Sequence, residues 1–187
     1  MNQNQQLADL LFPDVSDDLS LLEKKYPPRD LPQGAMVTRF APSPTGLPHL
    51  GNVFTCNVDL RAARKTGGIV YLRIEDTDAK RAVDDGIAKI ISMLGEFGLE
   101  FDEGPTLDGG EKGNYGPYIQ SQRKALYHAC AKWLVVQGHA YPCFCSAEEL
   151  DAMREKQTEA QVAAPGYFGE WATCRNLSLD EVKKRLE

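Results

Sequence analysis

No apolar run in the 187-residue sequence approaches the roughly 20 residues that a membrane-spanning helix needs. The first six residues have neither the positive charge nor the apolar stretch of a secretory signal. Five cysteines, an odd number, do not make a complete disulfide framework and fit a reducing compartment. We therefore expect a cytoplasmic protein that does not contact membranes.

The sequence also lacks an excess of basic residues. Lysine and arginine number 21 against 27 aspartates and glutamates, which gives a net charge of −6. A protein that holds many phosphates through a basic face has the opposite balance. Any nucleic-acid contact must therefore be local and guided by shape, or lie on a surface outside these residues.

Two common phosphate-binding motifs are absent, the P-loop Gly-x-x-x-x-Gly-Lys-[Ser/Thr] and the dinucleotide motif Gly-x-Gly-x-x-Gly. Residues 37–52 instead read as a short strand, a loop and a helix start that carries His49 and Gly51. The loop is stiffened by three prolines, Pro42, Pro44 and Pro48. This order presents backbone N–H groups and the positive end of a helix to an anion. We predict a phosphate site here, with His49 in place of the P-loop lysine.

The residues that follow alternate between strand and helix patterns. They predict strands at 37–40 and 69–74, a helix at 49–66, and an exposed glycine-rich and acidic loop at 101–116. Two further helices are predicted from apolar positions that share one face, Val83, Ile87, Ile90, Ile91 and Leu94 in the first, and Leu126, Ala129, Cys130, Trp133 and Leu134 in the second. This alternation is typical of one half of a doubly wound α/β sheet.

The two ends of the chain have a different character. Residues 1–36 are a polar, proline-containing lead that we expect to pack onto the domain, and residues 141–145 predict a short strand. Capping boxes at Ser146 and Ser178 each begin a helix. Because the last helix runs to the chain end without a cap, we expect the sequence to be cut inside a second domain.

Opposite charges are predicted at the ends of the two strands. Arg39 lies in the first strand and Glu75 follows the second, at the carboxyl edge where open α/β sheets bind ligands. A guanidinium and a carboxylate suit an amino acid with an acidic side chain. Alternatively, the two residues pair with each other, or residues 75–78 form a solvated turn, which is at least as good an interpretation for Asp76 and Asp78. This acidic run could also hold Mg²⁺, although it lacks calcium-loop spacing.

Three sequence words together carry a family resemblance: Arg-Phe-Ala-Pro-Ser-Pro-Thr-Gly at 39–46, His-Leu-Gly-Asn at 49–52, and Leu-Arg-Ile-Glu-Asp-Thr-Asp at 72–78. The sequence resembles the amino-terminal half of bacterial glutamyl-tRNA synthetases, from about Leu7 to its last residue. His49 to Asn52 stand at the HIGH motif of class I synthetases, with Asn52 in place of the second histidine. The resemblance implies the first half of a class I Rossmann-like nucleotide-binding fold, with part of an inserted α+β acceptor-binding subdomain.

The resemblance also implies roles for individual residues. His49, Gly51 and Asn52 are the expected catalytic group. The glutamate pocket would be lined by Arg39, Ala41, Ser43 and Glu75. ATP, with its own Mg²⁺, would be bound by Pro42, Thr45, Gly46, His49, Gly51 and Asn52. The expected reaction is the activation of L-glutamate to glutamyl-adenylate, followed by transfer to the acceptor end of tRNA(Glu).

The cysteines near the chain end form a candidate metal site. Many members of the family hold structural zinc through a Cys-x-Cys pair, a later cysteine and a tyrosine or histidine. The corresponding residues are Cys143, Cys145, Cys174 and Tyr167. Three thiols alone do not make a complete four-ligand zinc site. The alternative is that the cysteines serve as small apolar packing groups.

The resemblance divides the chain into an N-terminal extension (1–36), a catalytic half-domain (37–140) and the truncated start of a connective insertion (141–187). The half that carries the KMSKS loop and any anticodon-binding domain would lie beyond residue 187, so we expect the isolated chain to be inactive. Separately, we expect a monomer. Two alternatives stay open. One is the paralogue that attaches glutamate to queuosine in tRNA(Asp), and the other is a non-catalytic module that binds glutamate or nucleotide.

Overall fold

The computed structural model describes residues 2–16, 19–46, 49–78, 80–81 and 83–187. The chain forms two compact units, one made of residues 20–127 and the other of residues 1–19 together with 128–187. The predicted division at residues 36 and 140 stays a prediction. Pro48, one of the three loop prolines, lies outside the described residues. Within the described ranges, none of the helices combines the length and apolar character that crossing a membrane requires.

The described residues form seven α-helices and four short strands. The helices are α1 (Gln3–Leu11), α2 (Leu19–Lys25), α3 (Leu50–Lys65), α4 (Gly86–Glu96), α5 (Lys124–Val136), α6 (Ala147–Glu159) and α7 (Leu179–Leu186). The strands are β1 (Val37–Phe40), β2 (Ile69–Leu72), β3 (Gly104–Pro105) and β4 (Glu111–Lys112).

A parallel sheet lies at the centre of the unit formed by residues 20–127. Strand β1 pairs with β2 in parallel, with Arg39 opposite Tyr71 and Phe40 opposite Leu72. Two more parallel segments lie on the other side of β2. Leu72 N–H donates to Glu103 O in the first, and Ile74, two residues past the end of β2, pairs with Ile119 in the second. The predicted alternation of parallel strands and helices is confirmed, although β2 ends two residues earlier than predicted.

Helices α3 and α4 cover one face of this sheet. The buried cluster joins Phe40, Leu72 and Ile74 from the sheet with Cys56 from α3 and with Ile90 and Leu94 from α4. Burial raises the pKa of the Cys56 thiol to about 12, so this cysteine behaves as an apolar group. The predicted start of the second helix at Val83 is wrong. Val83 is exposed, and its N–H donates to Pro44 O before α4 begins at Gly86.

The segment at 101–105, predicted as an exposed loop, is instead part of the sheet. Gly104 and Pro105 are buried, and Asp102 N–H donates to Val70 O at 2.9 Å. A Cβ on Gly104 would lie 2.9 Å from the Cβ of Leu72, and its φ of +146° also favours glycine. The glycine therefore marks a close approach of two backbones rather than a solvated turn.

Of the lead that was predicted to pack onto the domain, residues 26–29 contact this unit, whereas residues 1–19 belong to the other unit. Tyr26 Oη donates to Gly116 O at 2.7 Å, and Tyr115 Oη donates to Pro27 O at 2.8 Å. Arg29 forms a two-armed ion pair with Glu103. The guanidinium of Arg29 also lies 3.5 Å from the centroid of the Tyr115 ring. These contacts attach the lead to the segment that borders β2.

In the other unit, α1 packs against α7, and Lys132 of α5 contacts the residues of α1 and the turn after it. Lys132 Nζ lies 2.9 Å from Asp9 Oδ1 and donates to Val15 O at 2.9 Å. The buried residues of α5 are Ala129 and Val135. The predicted face is wrong in this respect, since Cys130, Trp133 and Leu134 are exposed.

Both predicted capping boxes are present, with Ser146 Oγ accepting from Glu149 N–H and Ser178 Oγ from Glu181 N–H. The predicted strand at 141–145 is wrong. Pro142 has no N–H, and the N–H of Phe144 donates to Cys174 Sγ at 3.5 Å instead of to a neighbouring strand. This segment therefore contributes Cys143, Cys145 and the Phe144 N–H to the cysteine cluster.

Replacement of Ile90 by alanine tests the assignment of the core. Ile90 is fully buried in the cluster beneath the sheet, so Ile90→Ala should lower the free energy of unfolding by about 2–5 kcal/mol. Urea denaturation measures the change. Leu107→Ala is the control, because Leu107 is 62% exposed and its truncation should cost less than about 0.5 kcal/mol. Equal effects of the two substitutions would contradict this core.

Candidate functional site

An ion pair joins the ends of the two central strands. Arg39 Nη1 lies 3.1 Å from Glu75 Oε1. Backbone contacts fix this approach, since Arg73 N–H donates to Phe40 O and Glu75 N–H donates to Pro42 O, both at 2.9 Å. The parallel ladder thus continues past the ends of β1 and β2 and brings the two predicted side chains to the same edge. The structure shows the alternative in which Arg39 and Glu75 pair with each other.

Arg73 is part of the same group, although the sequence analysis did not select it. Its Nη2 lies 2.8 Å from Glu75 Oε1, the oxygen that also faces Arg39. Successive side chains of a strand alternate between faces, so Arg73 and Glu75 share the face opposite the buried Leu72 and Ile74. The alternation of residues 71–75 could have predicted that Arg73 and Glu75 share a face. That prediction required knowing that the backbone stays extended past Leu72.

His49 forms the N-terminal cap of α3. Its Nδ1 accepts a hydrogen bond from Gly51 N–H at 3.1 Å, and Asn52 Oδ1 accepts from His49 N–H at 3.0 Å. Because Nδ1 is an acceptor, the neutral ring carries its proton on Nε2. Among the described residues, Nε2 has no hydrogen-bond partner, and His49 is exposed. The ring therefore presents an N–H donor to solvent at the positive end of a 16-residue helix.

Gly51 makes this ring position possible. A Cβ at residue 51 would lie 2.9 Å from His49 Cε1 and 3.0 Å from Nδ1. The space left by the missing Cβ is filled by the His49 ring. The His49 ring can therefore cap the helix only if residue 51 is a glycine.

The loop between β1 and α3 is held at two points. Pro42 O accepts from Glu75 N–H, and Pro44 O accepts from Val83 N–H at 2.9 Å. Pro44 is buried, whereas the neighbouring Ser43 is exposed. Of the other residues predicted for substrate binding, Ala41 and Thr45 are half-buried and Gly46 is exposed. Their roles in binding glutamate or ATP stay predictions.

The structure does not join the His49 cap to the charged pair. Across the described residues, no hydrogen bond or ion pair links His49, Gly51 or Asn52 with Arg39 or Glu75. Leu47 and Pro48, which connect the loop to the helix, lie outside those residues. The two groups are therefore two parts of a candidate site, related by the strand–loop–helix order of the chain.

The acidic run after β2 has separate partners. Asp76 accepts from the backbone N–H and the hydroxyl of Ser121, at 2.8 and 2.5 Å. Asp78 pairs with Arg81, which lowers the pKa of this half-buried aspartate. Because their partners differ, the carboxylates do not converge on one point, and this geometry favours the structural interpretation over the Mg²⁺ alternative.

The structure brings together the three cysteines selected from the sequence. The sulfur atoms of Cys143, Cys145 and Cys174 lie within 4.8 Å of one another, with Cys145 and Cys174 3.6 Å apart. Tyr167 Oη lies 3.4 Å from Cys145 Sγ. Tetrahedral zinc with bonds of about 2.3 Å to sulfur and about 2.0 Å to oxygen requires separations of roughly 3.8 and 3.5 Å. The donor set therefore fits zinc, and its metal-binding role stays a prediction.

Local hydrogen bonds favour a thiolate at Cys174. Burial opposes the charged form, but hydrogen bonds from Tyr167 and from the N–H of Phe144 outweigh it, so the pKa of Cys174 falls to about 7. Burial and the neighbouring thiols raise the pKa of Tyr167. The lowered pKa of Cys174 favours its thiolate, the form that binds metal, whereas the pKa of Cys56 in the sheet core is raised.

Comparisons with known proteins agree with this architecture. The family model described as "tRNA synthetases class I (E and Q), catalytic domain" matches residues 35–187. The chain is 52% identical over 182 residues to the glutamate–tRNA ligase of Acetivibrio thermocellus and 50% identical over 181 residues to that of Clostridium perfringens. Each alignment covers 97% of this chain and 33% of the relative. The chain therefore spans about a third of the length of these curated relatives.

Solved structures give the same result. The glutamate-tRNA synthetase of Elizabethkingia anophelis matches with a TM-score of 0.68 and 37% identity, over 81% of this chain and 30% of that protein. The glutamate tRNA ligase of Elizabethkingia meningosepticum, solved in complex with its amino acid, matches with a TM-score of 0.67 and 38% identity. Each match covers 30% of the solved protein's length. The chain belongs to the family of class I tRNA synthetases for glutamate and glutamine and matches their catalytic domain.

Proposed function

We propose that this chain is the part of a glutamate–tRNA ligase that binds glutamate and ATP and activates the amino acid. The observation that carries this proposal is the Arg39–Glu75 pair at the shared carboxyl edge of β1 and β2. Ligands of open α/β sheets bind at this edge. A cation and a carboxylate 3.1 Å apart provide one partner for an acidic side chain and one for an ammonium group.

In this proposal Arg39 holds the side-chain carboxylate of glutamate, and Glu75 accepts from its ammonium group. Ala41 and Ser43 line the same pocket from the loop whose backbone contacts Glu75 at Pro42. With the substrate anchored at these points, its α-carboxylate faces the nucleotide. Selection of glutamate over neutral amino acids follows, because a neutral side chain would leave the Arg39 guanidinium without a counter-charge.

The helix start binds ATP, which brings its own Mg²⁺. An oxygen of the glutamate α-carboxylate attacks the α-phosphorus, the bond to the bridging oxygen breaks, and pyrophosphate leaves. The Nε2–H donor of His49 and the positive end of α3 stabilise the negative charge that develops on the phosphate oxygens. Pro42, Thr45 and Gly46 shape the approach of the nucleotide. Gly51 N–H holds the His49 ring, and Asn52 Oδ1 holds the His49 backbone N–H.

The second step transfers the glutamyl group to the terminal adenosine of tRNA(Glu), in the cytoplasm, where both ATP and tRNA are found. In this proposal residues 141–187 contact the acceptor end of the tRNA, and zinc bound by Cys143, Cys145, Cys174 and Tyr167 is structural. Zinc would fix the segment at 141–145, which pairs with no strand among the described residues, to the turn that carries Cys174.

Substitution of Arg39 tests the glutamate site. Arg39→Gln should weaken the binding of L-glutamate at least about ten-fold, because a hydrogen bond between charged groups contributes about 1.5–3 kcal/mol. Isothermal titration calorimetry in the presence of a non-hydrolysable ATP analogue measures this affinity. Arg154→Gln is the matched control, since Arg154 pairs with Asp151 on an exposed face of α6. Unchanged glutamate affinity in Arg39→Gln would contradict the proposed site.

Metal analysis tests the cysteine cluster. The purified chain should contain about one equivalent of zinc by elemental mass spectrometry, and Cys145→Ser or Cys174→Ser should remove most of it. Cys130→Ser should retain the zinc, because Cys130 is exposed and lies outside the cluster. Absence of zinc from a chain purified without chelator and then supplied with the ion would show that the thiols only pack.

A further inference from the structure

The carboxylate of Glu75 is held unequally by its two cations. Its Oε1 atom lies 2.8 Å from Arg73 Nη2 and 3.1 Å from Arg39 Nη1. Its Oε2 atom has no hydrogen bond to the described residues. One oxygen therefore receives both guanidinium groups, and the other is available.

The two arginines differ in how firmly they are placed. The side chain of Arg73 is 19% exposed, whereas that of Arg39 is 38% exposed. The Nε atom of Arg73 is buried and has no hydrogen-bond partner among the described residues. The backbone of Arg73 is also fixed, since its N–H donates to Phe40 O. Arg73 is thus the constrained partner and Arg39 the more exposed one.

The charges are also unbalanced. The three side chains carry two positive charges and one negative charge. If Arg39 were the sole partner of Glu75, its turn toward an acidic ligand would leave the half-buried carboxylate with the ligand's ammonium group as its only cation. With Arg73 in place, Glu75 keeps a cation when Arg39 turns toward a ligand.

We propose that Arg73 is a positioning residue for the glutamate site. It retains Oε1 of Glu75, so that Oε2 accepts from the ligand's ammonium group and Arg39 is released to the ligand's side-chain carboxylate. This inference rests on the proposed function, and it assigns Arg73 no contact with the substrate. The competing account is that Arg73 binds the ligand directly.

A double-mutant cycle separates the two accounts. Arg73→Gln should weaken L-glutamate binding at least about ten-fold, whereas Arg73→Lys, which keeps the charge, should recover part of the loss. Because Arg73 acts through Glu75, adding Arg73→Gln to Glu75→Gln should change the affinity by less than about two-fold. Arg64→Gln is the control, since Arg64 pairs with Asp102 at 2.8 Å in the same unit and outside the site. It should leave glutamate affinity unchanged.

Losses that add in the double variant would overturn the proposal in favour of direct contact. A loss in Arg64→Gln as large as that in Arg73→Gln would also overturn it, because the effect would then be one of general stability. If the unsubstituted chain does not bind glutamate, the proposed function itself has failed.

In that event, nitrogen-15 NMR of the arginine guanidinium groups still decides whether Arg73 holds Glu75. The Arg73 resonances should report restricted rotation in the unsubstituted chain and free rotation in Glu75→Gln. Identical Arg73 signals in the two proteins would overturn the inference without any ligand.

Discussion

The parallel pairing of β1 with β2 is the constraint on which the candidate site depends. Two parallel strands joined through α3 end at the same edge, and their ladder continues to Glu75, whose N–H donates to Pro42 O at 2.9 Å. A shift of one residue in this register would turn Arg39 toward the core and Phe40 toward solvent. The burial of Phe40, Leu72 and Ile74 against α3 and α4 opposes that shift. Core packing on one face therefore fixes the charged group on the other.

The helix that follows β1 adds a second, separate device. Its first turn is closed by a side chain, His49, instead of the backbone cradle of a P-loop. The same imidazole uses one nitrogen to cap the helix and leaves the other as a donor, which is possible because residue 51 has no Cβ. If His49 is only a helix cap, this geometry contributes to the stability of α3 and has no role in binding. In the proposed function, the cap also orients the Nε2–H group toward the nucleotide.

The sequence predicted the parts of the fold that local patterns specify. The β-branched runs of β1 and β2, the glycines after α3 and the capping boxes at Ser146 and Ser178 are local signals, and these elements are present. The errors lie where tertiary contacts decide. Gly104 and Pro105 have loop-forming residue types but are buried beside Leu72. Residues 141–145 have a strand composition but no partner strand in the part of the chain that the structure describes. The pairing of Arg39 with Glu75 could be predicted from strand order, whereas the second hold from Arg73 required the extended backbone past β2.

Electrostatics link these features to the proposed chemistry. Arg39, Arg73 and Glu75 leave an excess positive charge at a strand edge, and the start of α3 adds the positive end of a helix dipole. Glutamate and ATP are both anionic, so two positive regions are needed to bring them together. The most direct measurement is a crystal structure of this chain with a non-hydrolysable glutamyl-adenylate analogue. The account predicts Arg39 on the ligand's side-chain carboxylate, Glu75 on its ammonium group, and the phosphate beside His49. A ligand bound elsewhere, with Arg39 and Glu75 still paired, would contradict it.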